Sequence, residues 1–558
     1  MKLTPTDEQR IISHQASLGG SMIVRALAGT GKTTTLGMLA DAHPARAVTY
    51  LAFNKEIATE AGDKMPSKVR ARTVHACAYA AMKPDQERLS QRMNGFWVAS
   101  RYDLSKIYIG NRKEMTSAML GGMVLTTLSR FCNSADDVIG THHVPSMDSV
   151  FEVVPADVRQ DTATWYGLCE HIAMLAARLW ESQVAMGSKT PLTHDTYLKQ
   201  WVMGTPRIAG DLIMFDEAQD ASPVILQLLD KQRQPIIWVG DEHQQIYAWR
   251  GAVNAMESVK ADHEAYLSES FRFGPEIAGK ATEMLRYLGE SRSLIGSGDG
   301  QPKRNSSAYL CRTNATAIDR FMTFEKQNLR VELVGAKAME QTVKQLGDLI
   351  KGHPTGAFFL FKDYSELVAH SKTEGGRDMA AMVKAVDEYG IDHLSERLQA
   401  SMAVRAGTAD VTLSTVHRAK GREWDYVEIA GDWSGDPDKN QPVSKEEARL
   451  MYVAVTRARV ALDDSAMEPW TIMMAEQLEN RVDDPVPPAV TVAVTTSAPA
   501  LKAKSPTPET ASKPHVADDV AKTKASIMSR LKELDDRQLQ GVLDHLNSLP
   551  TLSEFDAA

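Results

Sequence analysis

Over much of the chain, short apolar runs alternate with stretches whose apolar residues recur every three or four positions. Ser21–Leu27, Arg46–Ala52, Asp211–Phe215, Pro235–Val239, Ala308–Cys311 and Val411–Ser414 each predict a buried strand. Several end in a Gly, Asp or Asn cluster and run on into a helical pattern, the βα rhythm of a parallel sheet. From about Ala76 to Gln200 the pattern is helical, with no strand signal of comparable strength, and it reads as an insertion. A second, smaller insertion is expected from about Lys337 to Gly407, where Met339–Ile350 and Asp378–Tyr389 carry helical spacing. After Asp484 the pattern stops. Pro485–Pro514 is rich in Pro, Ala, Thr, Val and Ser and reads as an extended linker. Beyond it, Ile527, Leu531 and Leu534 form one helical stripe and Leu539, Val542, Leu543, Leu546 and Leu549 another, predicting a tethered helical hairpin.

A chain of 558 residues exceeds one compact core and suits several packed domains. Its 43% apolar and 24% charged residues are the balance of a globular protein. The four cysteines, Cys77, Cys132, Cys169 and Cys311, contain no C-x-x-C pair, which excludes a disulfide scaffold or a Cys-based zinc module. No apolar run reaches membrane-spanning length and Met1–Arg10 is polar, so a cytoplasmic protein is expected. The net charge of −9 excludes bulk electrostatic wrapping of nucleic acid and leaves local grooves and stacking side chains as the means of any DNA contact.

The strongest chemical signal is Ala26-Leu-Ala28-Gly29-Thr30-Gly31-Lys32-Thr33-Thr34, which follows the first strand and opens a helix at Lys32. Such a loop turns successive backbone N–H groups toward a triphosphate at a helix N-terminus. Lys32 would reach the β- and γ-phosphates and the Thr33 hydroxyl would take a Mg²⁺ position. The strict pattern has Gly where this chain has Ala26. Leu212-Ile-Met-Phe-Asp216-Glu217 delivers two adjacent carboxylates at the end of a strand. Asp216 would hold the Mg²⁺ and Glu217 would take a proton from the attacking water. Together the two sites predict an ATPase.

In these segments and those that follow them, the chain resembles superfamily 1 DNA helicases of the UvrD/Rep type. Val239-Gly-Asp241-Glu-His-Gln244-Gln-Ile-Tyr247-Ala-Trp249-Arg250-Gly251-Ala looks like their third motif, and Ser270-Phe271-Arg272 looks like the fourth. Ser414-Thr415-Val-His417-Arg-Ala-Lys420-Gly421-Arg-Glu423-Trp424 resembles the fifth, and Tyr452-Val-Ala-Val-Thr456-Arg457-Ala458 the sixth. Thr193-His-Asp195-Thr-Tyr197-Leu-Lys199 and His142-His-Val-Pro145 are similar to the helicase core of F-box DNA helicases and their phage and bacterial relatives. The short stretch ahead of the phosphate loop leads us to expect no F-box before that core. The segment after the second strand departs from the Rep-like pattern, whose Phe stands one place earlier than Phe53 does here, so Phe53 either stacks a base differently or packs.

The resemblance implies two RecA-like α/β motor domains, at 1–75 with 201–275 and at 276–336 with 408–480. The pattern along the chain adds helical insertions at 76–200 and 337–407, a linker at 481–522 and a hairpin tail at 523–558. The resemblance also implies that Gln9 hydrogen-bonds adenine, Phe271 stacks on it, Glu423 holds the ribose and Gln244 senses the γ-phosphate. Arg272 and Arg457 would act as arginine fingers. Tyr247, Trp249 and Arg250 would grip unpaired bases, and Thr73, His75 and His417 would touch the strand backbone. A Thr or His at such a strand end also has an ordinary structural reading. The implied activity is an ATP-dependent 3′→5′ helicase acting on single-stranded and 3′-tailed duplex DNA. Alternatives are a translocase that clears proteins or recombinase filaments, and a DNA-sensing ATPase subunit. The hairpin would recruit a protein partner. Beyond Trp470 no carboxylate and lysine cluster has strand context, which argues against a fused nuclease.

Overall fold

In a computed structural model, the described residues run from 4 to 479, apart from 92, 111–112, 151–155, 248–250, 304–305, 359–360, 372–376, 405–407 and 438–440. The predicted linker and hairpin lie outside them. Two parallel sheets organise the body. The first contains β1 (Met22–Ala26), β2 (Val48–Ala52), β3 (Val69–Thr73), β4 (Leu212–Phe215), β5 (Ile236–Gly240) and β6 (His263–Leu267), in the order β3-β2-β4-β5-β1-β6. The second contains β7 (Ser307–Cys311), β8 (Val331–Leu333), β9 (Val411–Thr415), β10 (Trp424–Ile429) and β11 (Ala458–Asp463), in the order β8-β9-β7-β10-β11. Every pairing within both sheets is parallel.

The pleat explains why the central strands are apolar at nearly every position. Along β1, Met22, Val24 and Ala26 enter one core while Ile23 enters another on the opposite face. Along β5, Ile237 and Val239 share the first of these cores, and Ile236 and Trp238 the second. A strand covered on both faces needs apolar side chains at both phases of its period. The second sheet is likewise covered, with Leu310 and Val427 on one side and Tyr309, Cys311 and Leu413 on the other.

The helices expected at Met339–Ile350 and Asp378–Tyr389 form as Ala336–Ile350 and Arg377–Tyr389, a further helix spans Ile391–Met402, and Val343, Leu346, Leu394 and Leu398 share a core with Leu413 of β9. The longer insertion instead has its own core, built by Met119, Met123 and Phe131 of the helix Ser117–Asn133 against Leu168, Ile172 and Leu179 of Thr162–Val184. It also holds a short antiparallel pair, Ile107–Ile109 with Lys113–Met115, which the helical pattern hid. Leu27, Ala28 and Ile246, which follow β1 and β5, pack into the same core as Val416 and Tyr452 from the second sheet's side. The two sheets therefore meet through apolar contact next to the phosphate loop. All four cysteines are free, and no helix among the described residues is long and apolar enough to cross a membrane.

Candidate functional site

Loops at the C-terminal ends of parallel strands build the site, as expected for an α/β sheet. The loop after β1 turns through Gly29 (φ 74°) and Gly31 (φ 75°), and Gly31 caps the helix Lys32–Ala42. Both angles lie in the left-handed region that glycine tolerates. A Cβ on Gly29 would also collide with the Ser270 hydroxyl and come within 2.8 Å of Arg272 Cβ. Gly29 is thus where the phosphate loop touches the Ser270-Phe271-Arg272 segment after β6. Thr30 Oγ1 donates to the Leu27 carbonyl at 2.8 Å and stiffens the turn.

A cavity of about 810 Å³ opens above this loop. Gly29 through Thr34, Asp216, Glu217, Gln244, Phe271 and Arg272 line it from the first sheet's side. Glu423, Lys420 and Arg457 line it from the second. Lys32 and Arg457 therefore share one crevice. Gln9 stands beside it, with Nε2 donating to Thr35 Oγ1 at 3.0 Å and lying 3.8 Å from the position of a Cβ on Gly31. Gln9 is held by a capping box with Thr6 at the start of the helix Asp7–Ser17. Ala28 does not face the cavity: it is buried, and its N–H donates to Tyr452 Oη at 3.0 Å.

Charge is packed tightly here. Asp216 Oδ2 accepts from the Tyr50 hydroxyl at 2.5 Å and Oδ1 from the Glu217 N–H at 2.9 Å. Burial, reinforced by the neighbouring Glu217 charge, raises the Asp216 carboxyl above its ordinary range. Glu217 shifts the other way. Burial opposes its ionisation, but Lys32 at 3.6 Å and Lys420 at 3.7 Å outweigh burial and hold it low. Glu217 adopts φ 54°, ψ 44°, an uncommon conformation for a non-glycine residue that fits a functional position. An ionised carboxylate and a threonine hydroxyl are hard oxygen donors, so Asp216 and Thr33 suit Mg²⁺.

The two arginines are engaged within the protein. Arg457 is 2% exposed, donates to the Val453 carbonyl at 2.9 Å and reaches Gln244 Oε1 at 3.4 Å. Burial, with Arg272 nearby, brings its guanidinium down to about 9. Arg272 donates to Glu423 Oε2 at 2.8 Å and to the Thr456 carbonyl at 2.8 Å. Glu423, expected to hold a ribose, is thus paired with Arg272 in this state, with Arg459 a further 3.8 Å neighbour.

A second cavity, of about 520 Å³, adjoins the first. Phe53, Asn54, Tyr247 and His417 line it, and Glu217 and Lys420 belong to the walls of both cavities. Phe53 lies 5.9 Å from Tyr247 with ring planes 12° apart, so it joins an aromatic stack with an exposed face. Tyr247 Oη donates to the His417 carbonyl at 3.0 Å, and Lys420 Nζ sits 5.4 Å from the Tyr247 ring. Thr73 and His75 line neither cavity. Thr73 Oγ1 accepts the Ala76 N–H and caps the helix Val74–Met82, while His75 Nε2 lies 3.2 Å from Asp195 Oδ1. Trp249 and Arg250 lie outside the described residues.

Sequence reasoning missed three side chains that tie these parts together. Tyr452 Oη accepts from Ala28 N–H and donates to Asp241 Oδ2 at 3.1 Å, and the same carboxylate oxygen accepts from Gln244 Nε2 at 2.6 Å. Lys420 pairs with buried Asp220 and donates to the Gln244 carbonyl at 2.7 Å. Tyr50 supports Asp216. Tyr452 and Lys420 lie inside motifs that were recognised, but no spacing in the sequence reveals their partners.

Two parallel sheets that present a phosphate loop, paired carboxylates and two arginines to one crevice define a P-loop nucleotide-site architecture. The chain belongs to the UvrD/Rep-like DNA helicase family: residues 6–264 match the UvrD/REP helicase N-terminal domain and residues 360–467 the UvrD-like helicase C-terminal domain. Among similar proteins, F-box DNA helicase 1 of Gallus gallus is 29% identical over 515 residues, covering 83% of this chain and 49% of that protein. F-box DNA helicase protein 1 of Schizosaccharomyces pombe is 28% identical over 526 residues, covering 82% and 57%. A probable DNA helicase of Mycoplasma pneumoniae is 25% identical over 266 residues, covering 44% and 42%. The chain spans about half the length of the curated relatives it matches.

Proposed function

We propose that the chain is an ATP-driven motor that tracks 3′→5′ along single-stranded DNA and opens duplex carrying a 3′ tail. The observation that carries this reading is the adjacency of two cavities, one polar and lined by charges of both signs, one carrying the Phe53–Tyr247 stack, which share Glu217 and Lys420 as a common wall. On this reading 1–75 with 201–275 forms one motor domain and 276–336 with 408–480 the other.

Gln9 and Phe271 hold adenine, while Glu423 exchanges Arg272 for the ribose. Lys32 leaves Glu217 for the β- and γ-phosphates, which returns basicity to that carboxylate. Glu217 then takes a proton from the attacking water. Arg272 and Arg457 stabilise charge on the transferring phosphoryl group, a contribution of roughly 10³–10⁵ in rate where such fingers have been removed. Thr33 and Asp216 would hold Mg²⁺, which neutralises phosphate charge when bound. Because Arg457 and Lys32 reach the crevice from different sheets, gripping one phosphate group draws the two sheets together.

On the DNA side, Phe53 and Tyr247 offer π-faces, each base stack contributing roughly 1–3 kcal/mol without regard to base identity. Trp249, Arg250 and His417 extend that grip, and Thr73 and His75 contact the strand further along. Strand displacement on duplexes with a 3′ or a 5′ tail tests the reading. Unwinding of the 3′-tailed substrate alone, dependent on ATP and Mg²⁺, is expected. Unwinding from the 5′ tail, or DNA-stimulated hydrolysis with no displacement of strand or protein, overturns it.

A further inference from the structure

Far from the nucleotide crevice in sequence, the long insertion gathers two histidines and an aspartate on one short loop. The loop joins the helix Ser117–Asn133 to the turn Thr141–His143. Asp136 Oδ2 lies 2.8 Å from His142 Nε2 and 3.0 Å from His143 Nε2. The three donor atoms all fall within 4.8 Å of one another.

The loop is held in this shape by its surroundings. Lys199 is wholly buried and donates to the Ser134 and Asp136 carbonyls at 2.9 and 2.6 Å, so it grips the backbone that carries Asp136. Its ammonium also lies 4.8 Å from the Phe131 ring. His143 is buried edge-on against that same ring, at 5.6 Å and 84°. Its Nδ1 lies 3.3 Å from the Gly140 carbonyl oxygen, a partner that takes an Nδ1 proton and turns the Nε2 lone pair toward Asp136 and the Ser134 hydroxyl, the latter 3.1 Å away and to be displaced by an ion. The Gly140 N–H, 3.1 Å from Nδ1, serves the other tautomer. His142 and Asp136 complete the set from the solvent side.

We infer that Asp136, His142 and His143 form a binding site for a borderline divalent metal, Zn²⁺ in particular, that clips this loop to the core of the insertion. Two imidazoles and one carboxylate suit zinc, whereas Mg²⁺ and Ca²⁺ prefer all-oxygen sets. Donors 2.8 and 3.0 Å apart match an ion about 2.1 Å from each with angles near roughly 90°. A tetrahedral ion needs those edges opened by only a few tenths of an ångström, to about 3.4 Å. Without metal the same atoms form a hydrogen-bonded triad, so the site is assembled before an ion arrives.

The test uses the full chain, stripped with a chelator and then equilibrated with Zn²⁺ in excess Mg²⁺ without nucleotide, so that hard oxygen sites are occupied. One Zn²⁺ per chain is expected by elemental analysis after gel filtration, and Co²⁺ should give visible absorption bands in its place. His142→Ala and Asp136→Ala, at exposed positions that leave the fold intact, should each lower affinity at least roughly tenfold. His171→Ala, an exposed histidine elsewhere in the insertion, should bind as the parent does. Absence of stoichiometric Zn²⁺ from the parent chain, or undiminished binding in either ligand variant, overturns the inference and leaves a hydrogen-bonded triad.

Discussion

Lys420→Met isolates the charge that joins the two cavities. Lys420 pairs with Asp220, whose side chain is completely buried, and lies 3.7 Å from Glu217. Burial pushes the Asp220 carboxyl up to about 6 even though Lys420 pulls it down. Methionine keeps the length of the stem and removes the charge, leaving Asp220 either ionised without a partner or protonated. Breaking a buried pair from one side costs about 3–5 kcal/mol. Asp220 is an acid whose folded value lies above its unfolded value near about 4. Its contribution to stability is therefore fully present below pH about 4 and is lost as pH rises through about 6. Without Lys420 the folded value climbs further, so variant and parent differ most at pH 8. At pH 5 Asp220 is mostly protonated in both, and only the weaker loss at Glu217 remains. Taking about 2.1 cal/mol/K per residue over a body of roughly 480 residues, 1 kcal/mol moves Tm by about 1 °C. Calorimetry of nucleotide-free protein should show Tm lowered by about 3–5 °C at pH 8 and by less than about half of that at pH 5. An equal deficit at both pH values, or a larger one at pH 5, would refute the assignment of Asp220 as the partner that matters.

Lys32→Ala should abolish ATP hydrolysis, and brisk turnover would contradict its role at the phosphates. Glu217→Gln should keep nucleotide affinity while single-turnover hydrolysis falls by roughly 10²–10⁴-fold; a rate near that of the parent would remove Glu217 as the base. Tyr247→Ala should weaken single-stranded DNA binding by about 1–3 kcal/mol, or roughly 5–150-fold in Kd by fluorescence anisotropy, and an unchanged Kd would make the Phe53–Tyr247 stack a packing feature. Tyr452→Phe strips the partner from the buried Ala28 N–H and one donor from Asp241, so unfolding should become easier by about 1–3 kcal/mol; unchanged thermal stability would mean those groups re-pair.

The six strands expected from the sequence all form, within two residues at either end, because each is apolar on both faces. The strands that were missed carry polar residues for physical reasons. β3 (Val-Arg-Ala-Arg-Thr) and β6 (His-Glu-Ala-Tyr-Leu) are the outer strands of the first sheet, and their alternate side chains reach solvent. β8 and β11 are the edges of the second sheet. β10 lies inside that sheet yet exposes Tyr426 and Glu428, so its apolar run is broken as well. Edge strands hide among loops in a single sequence because half of each belongs to water.

The chemistry was legible where one local segment carries it, and illegible where it depends on a crossing between sheets. Gly29-Thr30-Gly31-Lys32 announces its phosphate site because loop, helix start and lysine are contiguous. Ala28 belongs to the same segment, yet its N–H is taken by a hydroxyl 424 positions away. Lys420 shows the same limit. Its place after β9 can be read as part of a motif, but its partners Asp220 and the Gln244 carbonyl come from two loops of the other sheet, 200 and 176 positions distant. Such contacts need the two sheets docked through Leu27, Ala28, Ile246, Val416 and Tyr452. That apolar seam brings the phosphate loop, Asp241 and Tyr452 into one hydrogen-bonded line. A shift between the sheets must therefore disturb Gln244 and Ala28 together, which no pattern along either segment could reveal.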